Sequence, residues 1–259
     1  MTYCVATRLN QGLVFLSDSR TNAGMDQVST YRKMTVFERP DDRVLVLMSA
    51  GNLAITQSVL EILQAAIEDE NLWTVKTMSQ AAALVGAAIR RVHERDHASL
   101  AQHGIDFNCS FILGGQIRGE PCRLFQVYAA GNFIEAQPES PYMQIGESKY
   151  GKPILDRVIT PDTGLDDAIK CVLISMDSTL KSNISVGLPL DLLVYRTNEL
   201  RVSRFVSINE DDPYFEQIHH HWGQRIREAF AQLPAPDWST MATEASRPVF
   251  ESMIRSADQ

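Results

Sequence analysis

The sequence predicts an α+β fold in which antiparallel sheets are covered on their outer faces by helices. Two observations support this fold class. Strand-like and helix-like segments come in groups rather than in alternation, which disfavours a parallel sheet built from βαβ units. The unbroken apolar run at residues 44–48 suits a strand that is covered on both faces. Two stacked sheets between two helix layers are one arrangement that buries so many apolar strands.

The predicted strands are short apolar segments, and turn residues separate several of them. Asn10-Gln11-Gly12 divides the first strand from the second, and residues 39–42 precede the apolar run. In chain order, strands are predicted at residues 2–8, 12–17, 33–38, 44–48, 108–114, 122–129, 133–136, 191–195 and 202–208.

Helices are predicted where apolar residues recur at three- and four-residue spacing. Asn52 can cap the first helix, whose apolar positions extend to Ala66. Residues 77–80 form a capping-box pattern that opens the second helix. Three further helices are predicted at residues 149–159, 166–180 and 215–233. No internal repeat or linker is visible, so we expect one domain over residues 1–259, with residues 209–259 as a C-terminal extension.

Composition excludes several classes of partner. The net charge of -8 disfavours a nucleic-acid surface, which needs clustered cations. No long apolar run and no signal-peptide pattern is present, which favours a cytoplasmic protein without a membrane partner. The four cysteines are widely spaced and lack metal-ligand spacing, so they are expected to be buried, reduced thiols. We expect neither a metal nor a cofactor.

Two segments resemble ligand-binding motifs but lack an essential part. Residues 146–152 have the spacing of a phosphate-binding loop, yet Pro153 stands where a hydroxyl should hold magnesium. Residues 219–221 are three consecutive histidines. On a helix, consecutive side chains point about 100° apart and cannot converge on one ion. The sequence therefore predicts neither a nucleotide site nor a histidine metal site.

Thr2 is the candidate nucleophile. A small residue after Met1 permits removal of that methionine, which leaves Thr2 with a hydroxyl and a free α-amine. Such an amine has a pKa of about 7.7–8.0, so part of it is neutral at pH 7 and can act as a general base. By itself this signal is weak, because many proteins begin with Met-Thr.

Three further residues supply the other parts that an amide hydrolase needs. Asp18 ends the second predicted strand and can anchor Lys33, which begins the third. An ammonium beside the Thr2 hydroxyl favours its attacking form. Gly51 stands at a helix entrance, where its N–H can be directed at a developing oxyanion.

The same segments resemble those of a known family. The chain is similar to proteasome β subunits and the bacterial peptidase HslV, and more closely to the Anbu family of bacterial proteasome homologues. The resemblance extends over the full length and includes the C-terminal extension. It implies the four-layer αββα sandwich of N-terminal-nucleophile hydrolases. The segments that carry it, in order, are MTYCVA, LVFLSDSRTNAG, YRKMTVFE and VLMSAGNLA.

The resemblance also implies roles for individual residues. Thr2 is implied to be the nucleophile with its amine as base, Asp18 and Lys33 to complete the charged set, and Gly51 to supply the oxyanion-hole N–H. The residues implied to line the substrate cleft or its first specificity pocket are Thr21, Tyr31, Ser49 and Leu53.

Two segments depart from the family pattern. Residues 182–187 correspond to the family's Asp-x-x-Ser-Gly-Gly, so Ser185 is retained but Ser182 replaces the carboxylate. A neutral hydroxyl orients an amine less strongly than a charged acceptor does. In the family's Gly-Ser-Gly segment, either Glu147 or Ser148 is expected near the amine. Hydrolysis is therefore expected to be slow or restricted to special substrates.

The sequence thus predicts a threonine-dependent peptidase or amidase that acts on peptides or unfolded proteins. The resemblance implies a homo-oligomeric ring or open helical ring, and no motif identifies an ATPase partner. Two alternatives remain open: a non-catalytic assembly protein that keeps the fold, and an amidase for a specialised small peptide.

Overall fold

A computed structural model describes residues 1–22, 28–65 and 70–237 of the chain. Contacts group the chain into two units, Met1–Trp222 and Gly223–Gln259. The strands are β1 (Tyr3–Leu9), β2 (Gly12–Asp18), β3 (Arg20–Asn22), β4 (Val28–Thr30), β5 (Met34–Arg39), β6 (Arg43–Gly51), β7 (Cys109–Ile117), β8 (Arg123–Val127), β9 (Phe133–Glu135), β10 (Tyr142–Gly146), β11 (Leu190–Arg196) and β12 (Arg204–Ile208). The helices are α1 (Leu53–Ala65), α2 (Met78–Gln102), α3 (Lys152–Val158), α4 (Leu165–Ser182) and α5 (Pro213–Ala231).

Two five-stranded sheets form the centre of the first unit. One has the order β10-β1-β2-β11-β12 and the other the order β5-β6-β7-β8-β9, while β3 and β4 form a separate hairpin. Every neighbouring pair in these sheets is antiparallel. The antiparallel arrangement predicted from the grouping of the elements is confirmed.

Alternation along the strands places the two sheets between helix layers. In β1, Tyr3 and Val5 belong to the apolar cluster that contains residues of α3 and α4, whereas Cys4 belongs to the cluster between the sheets. In β6, Leu45 packs into the cluster with α1 and α2, and Val46 faces the opposite sheet. Since successive strand residues point to opposite faces, the run 44–48 is covered on both sides, as predicted. The four-layer αββα sandwich is confirmed.

The predicted helix caps are also confirmed. Asn52 Oδ1 accepts a hydrogen bond from the Ala54 N–H at 3.0 Å at the start of α1. Thr77 forms a capping box with Gln80, because the Thr77 hydroxyl accepts from the Gln80 N–H and the Gln80 side chain accepts from the Thr77 N–H. Ala66, predicted to continue the apolar face of the first helix, lies outside the described residues.

Three strands were missed by the sequence prediction: β3, β4 and β10. β10 is an edge strand that pairs with β1, from Tyr142 opposite Thr7 to Gly146 opposite Tyr3. A five-residue segment gives a weak local pattern, so its strand conformation depends on pairing with β1, which is distant in sequence. α3 begins later than predicted, since Pro153 lies in the first turn, where its missing N–H costs nothing.

In the second unit, the end of α5 and the residues directly after it carry an exposed apolar stripe. Ile226, Phe230 and Leu233 are spaced by four and three residues and are 49%, 75% and 68% exposed. Glu228 on the same segment pairs with Arg225 at 2.9 Å. Within the ranges that the structure describes, none of the helices is long and apolar enough to span a membrane.

Candidate active site

A cavity of about 640 Å³ lies where β6 and β10 end and β1 begins. The chain reaches this point three times, because Thr2 precedes β1, Gly51 ends β6 and Gly146 ends β10. Seven of the predicted site residues line the cavity: Thr2, Thr21, Tyr31, Lys33, Ser49, Gly51 and Leu53.

Asp18 and Lys33 form a buried ion pair beside the N-terminus. The Lys33 Nζ donates to Asp18 Oδ1 at 2.7 Å and to the Arg20 carbonyl oxygen at 2.7 Å. The Tyr3 N–H donates to the same Asp18 oxygen at 2.9 Å. The Asp18 side chain is 0% exposed and that of Lys33 is 6% exposed. Asp18 therefore connects the first residues of β1 to the lysine that faces the cavity.

The electrostatics of this pair depend on burial. Burial raises the pKa of the Asp18 carboxyl above its usual value, and the Lys33 ammonium and the Tyr3 N–H counteract part of that rise. At the N-terminus, burial lowers the pKa of the Met1 α-amine below its ordinary value of 8.0. Lys33 adds to this lowering, whereas Asp18 and Glu147 oppose it.

Gly51 occupies a position that no other residue fits. Its φ is +116°, and a Cβ there would lie 2.4 Å from the carbonyl oxygen of Asn108, the residue directly before β7, and 2.8 Å from the Cα of Cys109 in β7. A side chain would therefore collide with the backbone of the opposite strand and also strain the local conformation. Without a side chain, the Gly51 backbone is exposed in the cavity wall, directly before Asn52 caps α1.

Gly146 and Glu147 hold the first residues of the chain from the other side. Gly146 has φ +81°, and a Cβ there would lie 1.9 Å from the Thr2 carbonyl oxygen. The Glu147 N–H donates to this oxygen at 2.7 Å. Between the two residues that the sequence left open, Glu147 is thus the one whose N–H binds Thr2 and whose charge acts on the N-terminal amine.

The structure places Ser182 and Ser185 differently from the other predicted residues. Ser182 ends α4, is exposed, and lines another groove together with Asp177 and His219. The Ser185 N–H donates to Asn183 Oδ1 at 2.9 Å. Neither serine is part of the cavity wall around Thr2. The roles assigned to both by the resemblance stay predictions.

Sequence reasoning missed Arg20 and Asn183. The Arg20 guanidinium donates to the Ile184 carbonyl oxygen at 3.0 Å and packs on Gly187, while its own carbonyl accepts from Lys33. Asn183 donates to Glu147 Oε2 at 2.8 Å. Both residues reach partners far away in the sequence, so no local pattern could have identified them.

In the part of the chain that the structure describes, no three His, Cys, Asp or Glu side chains lie close enough together to hold a metal ion. His219 instead pairs with the buried Asp177, since Nδ1 and Oδ1 are 2.6 Å apart.

Comparison with known proteins gives the family. The sequence model of the family described as "Proteasome subunit" matches residues 2–193. Among solved structures, "Anbu (ancestral beta-subunit)" from Yersinia bercovieri is 52% identical, with 92% of this chain and 100% of that chain covered and a TM-score of 0.86. The "Helical Assembly of the Anbu Complex" from Pseudomonas aeruginosa is 48% identical, with 92% of this chain and 100% of that chain covered and a TM-score of 0.87. Anbu from Hyphomicrobium sp. strain MC1 is 46% identical, with 91% of this chain and 100% of that chain covered and a TM-score of 0.84.

No curated protein matches the chain. The family match covers most of the chain, and the matched Anbu structures are covered over their whole length. The chain therefore belongs to the proteasome subunit family, as a member of its Anbu group of bacterial β-subunit homologues.

Proposed function

We propose that this protein is a threonine peptidase or amidase that cleaves amide bonds with Thr2 after removal of Met1. The observation that carries the proposal is the buried Lys33–Asp18 pair at the wall of the cavity that Thr2 lines. An ammonium kept out of water beside a hydroxyl stabilises negative charge on that oxygen more strongly than the same ammonium in solvent.

The proposed reaction has two steps. The neutral Thr2 amine takes the proton of the Thr2 hydroxyl, and Oγ attacks the carbonyl carbon of the bound amide. The Gly51 N–H donates to the resulting oxyanion, and the protonated amine of Thr2 passes its proton to the leaving nitrogen. Water, deprotonated by the same amine, then hydrolyses the acyl-enzyme ester and frees Thr2.

The contacts of Asp18 support these roles of Thr2 and Lys33. Asp18 binds both the Tyr3 N–H and the Lys33 ammonium, so one carboxylate sets the position of the nucleophile's neighbour in the chain and of the cation. A fixed distance between hydroxyl and ammonium lowers the reorganisation required when the charge develops.

The substrate class that we propose is peptides or unfolded proteins. Thr21, Tyr31, Ser49 and Leu53 line the cavity next to Thr2, and its volume of about 640 Å³ is sufficient for one or two side chains of an extended peptide. We also propose a cytoplasmic protein, since its four cysteines are free thiols, as expected in a reducing compartment.

We propose further that the protein assembles into a ring-like or helical homo-oligomer. Its relative from Pseudomonas aeruginosa, 48% identical, is described as a helical assembly. The exposed stripe of Ile226, Phe230 and Leu233 is a suitable contact surface, because contiguous apolar residues at the surface often mark subunit interfaces.

Intact mass spectrometry tests the catalytic proposal. The protein is produced as a fusion whose cleavage leaves Thr2 as the first residue. The cleaved protein is then incubated with a β-lactone, which acylates a reactive N-terminal threonine. We expect one adduct, mapped to Thr2, in the parent and in Thr2→Ser, and no adduct in Thr2→Ala. An active preparation in which Met1 is retained contradicts the mechanism. Normal assembly without an adduct supports the non-catalytic alternative instead.

A further inference from the structure

Glu147 is a buried carboxylate next to the N-terminus. It follows β10, is 7% exposed, and its N–H holds the Thr2 carbonyl oxygen at 2.7 Å. This close approach depends on Gly146, where a Cβ would collide with the same oxygen. Glu147 is therefore next to the first residues of the chain, and its charge acts on the Met1 amine.

Asn183 orients the Glu147 carboxylate. Asn183 Oδ1 accepts from the Ser185 N–H at 2.9 Å, so its Nδ2 is the atom that faces Glu147, and it donates to Oε2 at 2.8 Å. Asn183 is itself fixed at the C-terminal end of α4, where its N–H donates to the Thr179 carbonyl oxygen. Both the backbone and the side-chain oxygen of Asn183 are thus fixed by hydrogen bonds.

Within the described ranges, three charged groups act on the N-terminal amine, namely Lys33, Asp18 and Glu147, and a fourth, Lys149, pairs with Glu147. Asp18 lies 2.7 Å from Lys33, so the effects of these two charges on the amine oppose each other. Lys149 lies 3.5 Å from Glu147 Oε1, but its side chain is 69% exposed and water screens it. Glu147 is therefore the carboxylate near the amine that has no buried cation as a partner among the described residues.

We propose that Glu147, oriented by Asn183, is a positioning residue for the Thr2 α-amine and raises the pH at which this amine becomes a base. The inference deepens the proposed function and rests on it for the role of the amine. A carboxylate beside an amine favours the protonated form. The neutral amine therefore forms at a higher pH than it would beside a neutral side chain, which reduces the rate of acylation at neutral pH.

The amine can be titrated directly, without any catalysis. Protein that begins at Thr2 is labelled with a trace of acetic anhydride over a series of pH values, and mass spectrometry of the N-terminal peptide gives the pKa of the α-amine. In Glu147→Gln the amide oxygen can still accept from Asn183, so the packing is kept while the charge is lost. We expect the amine pKa in this variant to fall by about half a unit to one unit.

Two companion variants keep the charge and change the geometry. Glu147→Asp retains a carboxylate, so we expect an amine pKa nearer to that of the parent than to that of Glu147→Gln. Asn183→Ala releases the carboxylate from its hydrogen bond, and we expect a smaller fall in the same direction. These variants also decide the question if Glu147→Gln does not fold.

Glu139→Gln is the matched control, because it removes the same charge from the exposed loop before β10. The length of β10 alone separates this loop from Gly146 by about 13 Å, more than the screening length of roughly 8–10 Å in physiological salt. We expect no change of the amine pKa in this control.

The β-lactone adduct is measured in the same samples, so the two proposals can fail separately. If no variant forms an adduct at any pH, the proposed function is wrong, and the amine titration still tests the position of Glu147. Equal amine pKa values in the parent and in Glu147→Gln overturn the inference, whether or not Thr2 is reactive. If both are right, the pH midpoint of adduct formation shifts together with the amine pKa.

Discussion

Replacing Lys33 with methionine removes the buried ammonium while keeping most of the apolar stem of the side chain. In the parent, the Lys33 Nζ lies 2.7 Å from Asp18 Oδ1, the Asp18 side chain is 0% exposed, and the Arg20 carbonyl accepts a second hydrogen bond from the same Nζ. After the substitution, the Asp18 carboxylate keeps the Tyr3 N–H but loses the cation that compensates its burial.

The magnitude follows from this loss of compensation. Breaking a buried ion pair by removal of one partner costs about 3–5 kcal/mol, because a buried charge is left uncompensated. We therefore expect the free energy of unfolding to fall by about that amount. The rate of β-lactone acylation should fall by roughly 100-fold to 10,000-fold, since the cation beside the attacking oxygen is lost.

A second substitution separates stability from reactivity. In the double variant Asp18→Leu and Lys33→Met, both charges are absent, so part of the lost stability should return. The double variant should remain unreactive, because the nucleophile still lacks its cation. If the free energy of unfolding of the double variant is lower still than that of Lys33→Met, this account is contradicted.

Urea unfolding at one fixed protein concentration, followed by tryptophan fluorescence, measures the change of stability. The adduct rate is measured on the same preparations by intact mass. Lys170→Met is the matched control, because Lys170 pairs with Asp167 on the surface and should leave both readouts unchanged. Parent-like unfolding and parent-like acylation in Lys33→Met would refute the reasoning.

Three further predictions use the same two assays. Gly51→Ala places a Cβ 2.4 Å from the Asn108 carbonyl oxygen at φ +116°, so we expect a loss of about 1–3 kcal/mol of stability and no Thr2 adduct; parent-like stability and acylation in Gly51→Ala would contradict the requirement for glycine at this position. Thr77→Ala removes the cap of α2, so the unfolding free energy should fall by about 1 kcal/mol with unchanged acylation. Burial and Lys33 lower the pKa of the Met1 α-amine, and we expect the same direction for the Thr2 amine that removal of Met1 exposes; the acylation rate should then rise with pH through a midpoint below the ordinary 8.0, and a midpoint above 8.0 contradicts this sign.

Local chemistry was sufficient to predict the main elements of the fold. Asn52 and Thr77 cap helices because their side chains satisfy N–H groups a few residues away, and such patterns are visible in the sequence. The apolar run at residues 44–48 indicated a strand covered on both faces, and Leu45 and Val46 do pack into different apolar clusters.

The predicted site residues came from two kinds of information. Asp18 and Lys33 were expected to pair from their places at strand ends, and the structure joins them at 2.7 Å. Thr2, Gly51 and the residues of the cleft came from the motif and the resemblance, and the structure brings them to one cavity. Ser182 was expected near the amine but lies in another groove, at the exposed end of α4.

The sequence by itself determined the fold class, the starts of α1 and α2 and the candidate nucleophile, because these depend on local patterns or on a family motif. Only the tertiary structure decided that Glu147, rather than Ser148, binds the Thr2 carbonyl oxygen and that Asn183 binds Glu147. β10 becomes a strand by pairing with β1. Because Glu147 directly follows β10, this pairing brings it into contact with Thr2, which is distant in the sequence. Asn183 then reaches Glu147 from α4, 36 residues further along. Such contacts are set by the packing of distant elements, so no local pattern in the sequence records them.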